Sequence, residues 1–187
     1  MLDINDFNLR KINEQDLETL LRWRNSDRVR TNMYTDHIIS MKEHRAWFNR
    51  IKDESTALYL IFEHLEHPIG FVYFTQIDIT ISNCMWGFYL GERNVPNKSG
   101  TIMGYMSLNH IFDVNKLQRV NGEVLAFNKP SQKFFQRLGF SEVGRLKNHA
   151  MKNDKLTDVV QFSITADEWR RIGRTSVENL FRDTVRR

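Results

Sequence analysis

The stretch from Glu123 to Phe140, EVLAFNKPSQKFFQRLGF, constrains the fold more than any other part of this chain. Its apolar run Val124–Phe127 reads as a buried strand. Pro130 cannot continue a central strand but suits the first turn of a helix. Phe134, Phe135 and Leu138 then recur at helical spacing, and Gly139 suits the left-handed residue that ends a helix. A strand that turns at Asn128 directly into a short helix needs a sheet on one side and a helical layer on the other.

The rest of the chain predicts an α+β order. Phe7–Ile12 reads as a first strand, followed by a helix capped by Asn13 and carrying Leu17, Leu20 and Leu21. The 33–39 segment, MYTDHII, reads as a loop, and Ser40-x-x-Glu43 as a capping box opening a second helix. A meander is expected next, with strands Leu58–Phe62, Ile69–Phe74, Asp78–Ser82 and Met85–Leu90 and a turn containing His67-Pro68. A polar loop, Glu92–Gly100, leads to a helix over Thr101–Asn115 whose apolar positions wrap more than one face. After the strand Val120–Phe127 and the helix Pro130–Leu138, Glu142–Met151 and Thr157–Ile164 read as a closing hairpin. Asp167–Val185 reads as an Arg-rich helix anchored by Trp169.

At 187 residues the chain is read as one domain over 1–187, with a core of about 7–164. No run approaches the ~18–20 apolar residues of a membrane span, and the MLDINDFNLR start lacks a signal-peptide pattern. The single Cys84 cannot form an internal disulfide. Together these predict a cytoplasmic protein with no membrane partner. His64 and His67 lack further ligands nearby, so no metal site is expected. The net charge of +4 suits a phosphorylated small molecule; without a basic stripe interleaved with aromatics, nucleic acid is not the expected partner. The oligomeric state is left open, a homodimer being one option.

The pattern Asn128-x-x-Ser131-x-x-x-Phe135-x-Arg137-x-Gly139-Phe140 resembles the acyl-CoA-binding second motif of the GNAT acetyltransferase superfamily. The order of elements from about Phe7 to Ile164 resembles the GNAT topology: a mixed, mostly antiparallel central sheet, flanked by helices, with splayed central strands. The resemblance implies acetyl-CoA as cosubstrate. It assigns Phe88, Tyr89 and Leu90 to the pantetheine arm and Lys98, Ser99, Gly100, Thr101 and Ile102 to the pyrophosphate. Asn128 is assigned to the pantetheine amides, and Phe135 also falls in the cofactor motif. Unpaired N–H groups at a helix start bind phosphate, which is the physics behind the loop assignment. The family's usual loop is Gln/Arg-x-x-Gly-x-Gly/Ala; here Val95, Lys98 and Gly100 occupy the three positions, so only the last matches.

Direct acetyl transfer needs a base for the amine and a stabilised oxyanion, and the departing thiolate can take a proton. Strand alternation puts Glu123 on the face of Leu125 and Phe127, which makes it the candidate base. Tyr89 and His37 are the other candidate catalytic groups. The superfamily's usual acid is a Tyr at the position of Phe135, which has no proton to give. The acid then comes from Tyr34, Tyr89, Ser131 or water, or the thiolate leaves unassisted.

A denser pattern lies upstream. Its frame is Trp23-Arg24-Asn25, then Ile39-Ser40, then His44-x-x-Trp47-Phe48, and it is shared by GNATs related to ribosomal-protein N-terminal acetyltransferases. The intervening Met33-Tyr34-Thr35-x-His37 and the Glu142–Asp158 tail resemble the set acetylating a UDP-linked 4-amino sugar in pseudaminic acid biosynthesis. That implies a nucleotide-sugar acceptor, with a diphosphate for Arg24 or Arg30, a uracil for Tyr34 or Trp47, and contacts from Met33 and His37. Acetylation of a protein N-terminus or another small amine, and a non-catalytic acyl-CoA-binding module, are the rival readings.

Overall fold

Seven strands form one sheet in the order β1-β2-β3-β4-β5-β7-β6. The computed structural model describes residues 3–152, 154–175, 177 and 178. The strands are β1 (Phe7–Lys11), β2 (Leu58–His64), β3 (His67–Asp78), β4 (Asn83–Leu90), β5 (Arg119–Leu125), β6 (Ser141–Lys152) and β7 (Lys155–Thr165). Every neighbouring pair is antiparallel except β4 with β5. Helices α1 (Leu17–Asn25), α2 (Asp27–Arg30) and α3 (Met41–Ile51) precede β2, α4 (Ser99–Asn109) joins β4 to β5, and α5 (Lys129–Arg137) follows β5. The architecture is the expected α+β sheet with flanking helices.

Strand alternation sends side chains to two cores. Leu60, Phe62, Val72, Phe74 and Trp86 pack on the α4 and α5 side, while Ile61 and Phe71 pack with Leu20 and Trp23 of α1. α4 is buried around much of its girth, through Ile102, Met103, Gly104, Ser107 and Leu108, as its apolar pattern predicts. Gly104 permits its contact with α5: a Cβ there would lie 2.7 Å from Leu138. The Ser40–Glu43 capping box forms as expected, and Trp169 is fully buried, its indole donating to Asn109 at 3.0 Å.

Two expectations are corrected. The 79–82 segment of the expected strand Asp78–Ser82 is a turn, and Asp78 ends β3. The Asp78 carboxylate accepts from the Thr80 amide and hydroxyl, and this local bonding wins over the alternating pattern. The β2–β3 turn falls at Leu65 and Glu66, both at positive φ, and His67-Pro68 already belongs to β3. The expected Asp167–Val185 helix is met where it is described: Ala166–Glu168 is α-helical, Trp169–Gly173 is a π-turn, and 174, 175, 177 and 178 are helical again, the remainder lying outside the described residues.

β4 and β5 pair only at Asn83–Arg119, Cys84–Val120 and Met85–Asn121. From Trp86 onward the two strands diverge, and the side of β4 turned towards β5 has no ladder partner.

Candidate active site

The divergence of β4 and β5 opens a cleft of about 770 Å3. β4 contributes Trp86, Phe88, Tyr89 and Leu90, and β5 contributes Glu123. Gly100 and Asn128 also line the cleft. At the α4 junction, Lys98 is left-handed at φ 69°. The Ser99 amide bonds to the Pro96 carbonyl and the Ile102 amide to the Lys98 carbonyl. Among the described residues the amides of Gly100 and Thr101 are left without a backbone acceptor, as the first turn of a helix leaves them. Two details of the sequence-based assignment are corrected. The Ser99 hydroxyl donates to Pro96 at 2.7 Å and is buried, so it holds the turn together. The Ile102 side chain belongs to the core at 1% exposure, so only its position in the helix start relates it to the cleft.

Asn128 caps α5, its Oδ1 accepting from the Ser131 amide at 3.1 Å. Phe135 forms the cleft floor. It lies over Gly122 of β5, where a Cβ would come within 2.3 Å of its ring, and stacks on Phe162 at 5.1 Å. A side chain at this position is committed to the core.

Glu123 carries the decisive geometry. Its Oε2 accepts from the Tyr34 hydroxyl at 2.6 Å, and its Oε1 accepts from Gln161 Nε2 of β7 at 3.0 Å. Tyr34 comes from the loop after α2, 89 residues away in sequence. Burial, and next the bond to Glu123, push the Tyr34 hydroxyl above its ordinary value, so it holds its proton at neutral pH.

A second cavity of about 410 Å3 adjoins the cleft; Met33, Tyr73, Thr75 and Tyr89 line both. Its walls are aromatic, from Trp47, Tyr59, Phe71, Tyr73 and Tyr89. Tyr73 crosses β4 at Gly87, where a Cβ would meet its ring at 2.1 Å. Burial raises the hydroxyls of both Tyr73 and Tyr89. Arg24 lines this cavity, and desolvation pushes its guanidinium below its ordinary value, though it stays a cation at neutral pH. The one carboxylate in the lining, Glu43, is engaged by the Ser40 amide and hydroxyl and by His37 at 3.2 Å.

The structure thus brings Tyr34 and Glu123 together and sets Met33 and Tyr89 between two cavities. His37 is placed with Glu43 in the second cavity, whose lining excludes Glu123. Arg30 lines neither cavity; it donates to the Asp36 carbonyl at 2.5 Å and to Asp27 at 2.6 Å, which fixes the loop. Sequence reasoning missed Tyr73, Gln161 and Lys152. Tyr73 had one usable signal, its place opposite Gly87 in the meander. Gln161 and Lys152 act through contacts 38 and 119 residues away and had none. Among the described residues no cluster of three His, Cys, Asp or Glu could hold a metal, and no helix is long and apolar enough to cross a membrane.

The profile described as "Acetyltransferase (GNAT) domain" matches residues 6–141. The chain belongs to the GNAT acetyltransferase family. A relative named Acetyltransferase PseH, from Campylobacter jejuni, is 25% identical over 138 residues, covering 72% of this chain and 82% of that one. Two solved structures share the fold. A spermidine N-acetyltransferase from Vibrio cholerae, in complex with CoA and spermine, superposes with a TM-score of 0.84 at 16% identity, over 89% of this chain and 99% of that one. RimJ from Mycobacterium smegmatis, in complex with CoA-disulfide, gives 0.82 at 17%, over 94% and 90%. Family membership makes it an N-acetyltransferase, and the solved structures show the shared fold.

Proposed function

We propose that this GNAT protein transfers the acetyl group of acetyl-CoA directly to the 4-amino group of a UDP-linked amino-dideoxy sugar, of the UDP-4-amino-4,6-dideoxy-N-acetyl-β-L-altrosamine type, as in pseudaminic acid biosynthesis. The observation that carries the reaction is the 2.6 Å bond between Tyr34 and Glu123 in the cleft wall.

The chain's own groups suit the cosubstrate. The unpaired side of β4 offers backbone to a pantetheine arm, and the amides of Gly100 and Thr101 offer donors to phosphate. Bound acetyl-CoA supplies the thioester carbonyl that the amine attacks. Glu123 takes the proton that the amine loses, and Tyr34 gives its own to the leaving sulfur. Tyr34, with its hydroxyl raised, is a poor acid alone, because a thiol's ordinary value lies near 8.5. Glu123, protonated by the amine, returns a proton along the hydrogen bond in the same step. The net movement is one proton from nitrogen to sulfur, and both side chains end as they began.

The acceptor cavity supports a nucleotide sugar. Aromatic walls suit a base and an apolar methyl group, and the Arg24 cation suits a phosphate. A polyamine would need carboxylates to neutralise it, whereas Glu43 is already engaged. The Met33-Tyr34-Thr35-x-His37 pattern and the similarity to Acetyltransferase PseH point the same way. Acetylation of a protein N-terminus is the second reading, favoured by the frame Trp23-Arg24-Asn25, Ile39-Ser40 and His44-x-x-Trp47-Phe48.

Release of free CoA thiol from acetyl-CoA decides between them. The UDP-amino sugar is expected to accelerate release far more than spermidine or an N-terminal peptide does. Faster release with either of those than with the sugar would overturn the acceptor assignment.

A further inference from the structure

The buried Lys152, at the far end of β6, reaches across the fold to the loop that carries Tyr34. Its ammonium donates to the Met33 carbonyl at 2.8 Å and pairs with the Asp36 carboxylate at 3.1 Å. Its side chain is only 6% exposed. A buried ammonium is costly unless paired and hydrogen-bonded, so this contact has a strong geometric preference. Met33 and Asp36 flank Tyr34 on either side. The Lys152 bond holds the Asp36 carboxyl below its ordinary range.

The loop is pinned from the other side too. Arg24 donates to the Thr35 carbonyl at 2.7 Å, Arg30 to the Asp36 carbonyl, and Asn25 exchanges two hydrogen bonds with Ile39. Those anchors belong to α1 and α2, on the loop's own side of the chain. Lys152 alone among them belongs to the β6–β7 hairpin, and that hairpin also supplies Gln161, which orients Glu123. One hairpin therefore grips both partners of the Tyr34–Glu123 bond.

We infer that Lys152 is a positioning residue for the acetyl transfer: through Met33 and Asp36 it registers Tyr34 against Glu123. The inference rests on the proposed role of that pair, and it does not depend on which amine is the acceptor. A displacement near 1 Å at a reacting group can cost about a hundredfold in rate. Holding the loop to the hairpin that holds the base removes that freedom.

The test uses the full chain with Lys152→Met, which keeps the aliphatic stem, and with Asp36→Asn. Each is measured alone and combined with Tyr34→Phe. Thermal unfolding confirms that each variant is folded, and calorimetry gives its acetyl-CoA affinity. For Lys152→Met we expect unchanged acetyl-CoA affinity, faster amide hydrogen exchange in 33–37, and a kcat lower by about tenfold or more. Asp36→Asn should act in the same direction. In the Lys152→Met background, Tyr34→Phe should cost little further, because both changes break one unit. Fully additive losses, or unchanged kcat in Lys152→Met, would overturn the inference, as would unchanged exchange in the loop. If the wild-type protein prefers a peptide or a polyamine, the nucleotide-sugar reading falls, and the same ratios measured with that amine decide the role of Lys152.

Discussion

Replacing Glu123 by Gln removes the proton acceptor while keeping an oxygen for Tyr34 to reach. General-base catalysis contributes roughly 10²–10⁴-fold, so kcat should fall in that range with acetyl-CoA affinity unchanged. Thiol release and calorimetry check the two halves separately. A second residue-scale outcome concerns Gly122. Its missing Cβ is the space that the Phe135 ring occupies, at 2.3 Å from where a Cβ would lie. Gly122→Val should destabilise the fold by roughly 1–3 kcal/mol through overpacking, read as a lower urea midpoint at constant slope. Phe135 stacks on Phe162 and meets Phe140 and Trp86 edge-on, so the side chain at this position is held in the core.

At the scale of single elements, the starts of α4 and α5 both line the cleft. Asn128 caps α5, and that role can be separated from the cosubstrate contact proposed for it. Asn128→Ala removes the α5 cap, at a cost of about 1 kcal/mol, and should also weaken acetyl-CoA binding. Asn128→Asp keeps an oxygen for the Ser131 amide but loses the Nδ2 donor. It should keep the melting temperature and still bind acetyl-CoA more weakly, if that donor meets the cosubstrate. Gly100 has room for a small side chain, since a Cβ there would stand 3.7 Å from Leu90. Gly100→Trp should fold and yet obstruct the α4 amides, lowering acetyl-CoA affinity in a titration. The turn at 79–82 marks where element-scale reading failed. Alternation alone predicted a strand, and a single Asp78 side chain bonding to Thr80 redirected the backbone.

Across the whole molecule, acid should loosen the fold in two stages. Burial pushes the imidazoles of His44 and His110 below their ordinary value, with the Leu17 backbone bond opposing this at His44. The unfolded chain therefore binds more protons than the folded one below about pH 6.5. Their contribution is complete above that value and is lost as pH falls through it. Hydrogen bonds hold Asp36, Glu43, Asp78, Glu92 and Glu168 below the ordinary carboxylate range. Their contribution is complete above about pH 4 and is lost on further acidification. Urea midpoints should be flat between about pH 6.5 and about pH 8.5, fall below about pH 6.5, and fall again below about pH 4; above about pH 8.5 they should fall as well, because burial raises the Cys84 thiol. His44→Gln should shrink the first fall.

The stretch from Glu123 to Phe140 was enough to predict a strand turning into a capped helix, and with it the family, the sheet and the cleft position. Those are consequences of backbone chemistry. Asn128, Pro130 and Gly139 act on the residues beside them, and apolar spacing reports which face is buried. The candidate base was legible for the same reason, since alternation assigns a strand residue to a face. The remaining assignments depended on meetings between distant segments, which local propensity does not encode. Tyr34 reads as a loop residue suited to ligand contact until the fold sets it 2.6 Å from Glu123. Arg30 reads as a phosphate ligand until two of its nitrogens are seen bonded to Asp27 and Asp36, outside both cavities. Nothing local in the sequence singles out Lys152; burial and two oxygen acceptors mark it as a tie between hairpin and loop. The chain's own order determined the scaffold. Only tertiary packing decided which charged and hydroxyl groups stay available for chemistry and which hold the structure, because that depends on which partner lies within hydrogen-bond reach.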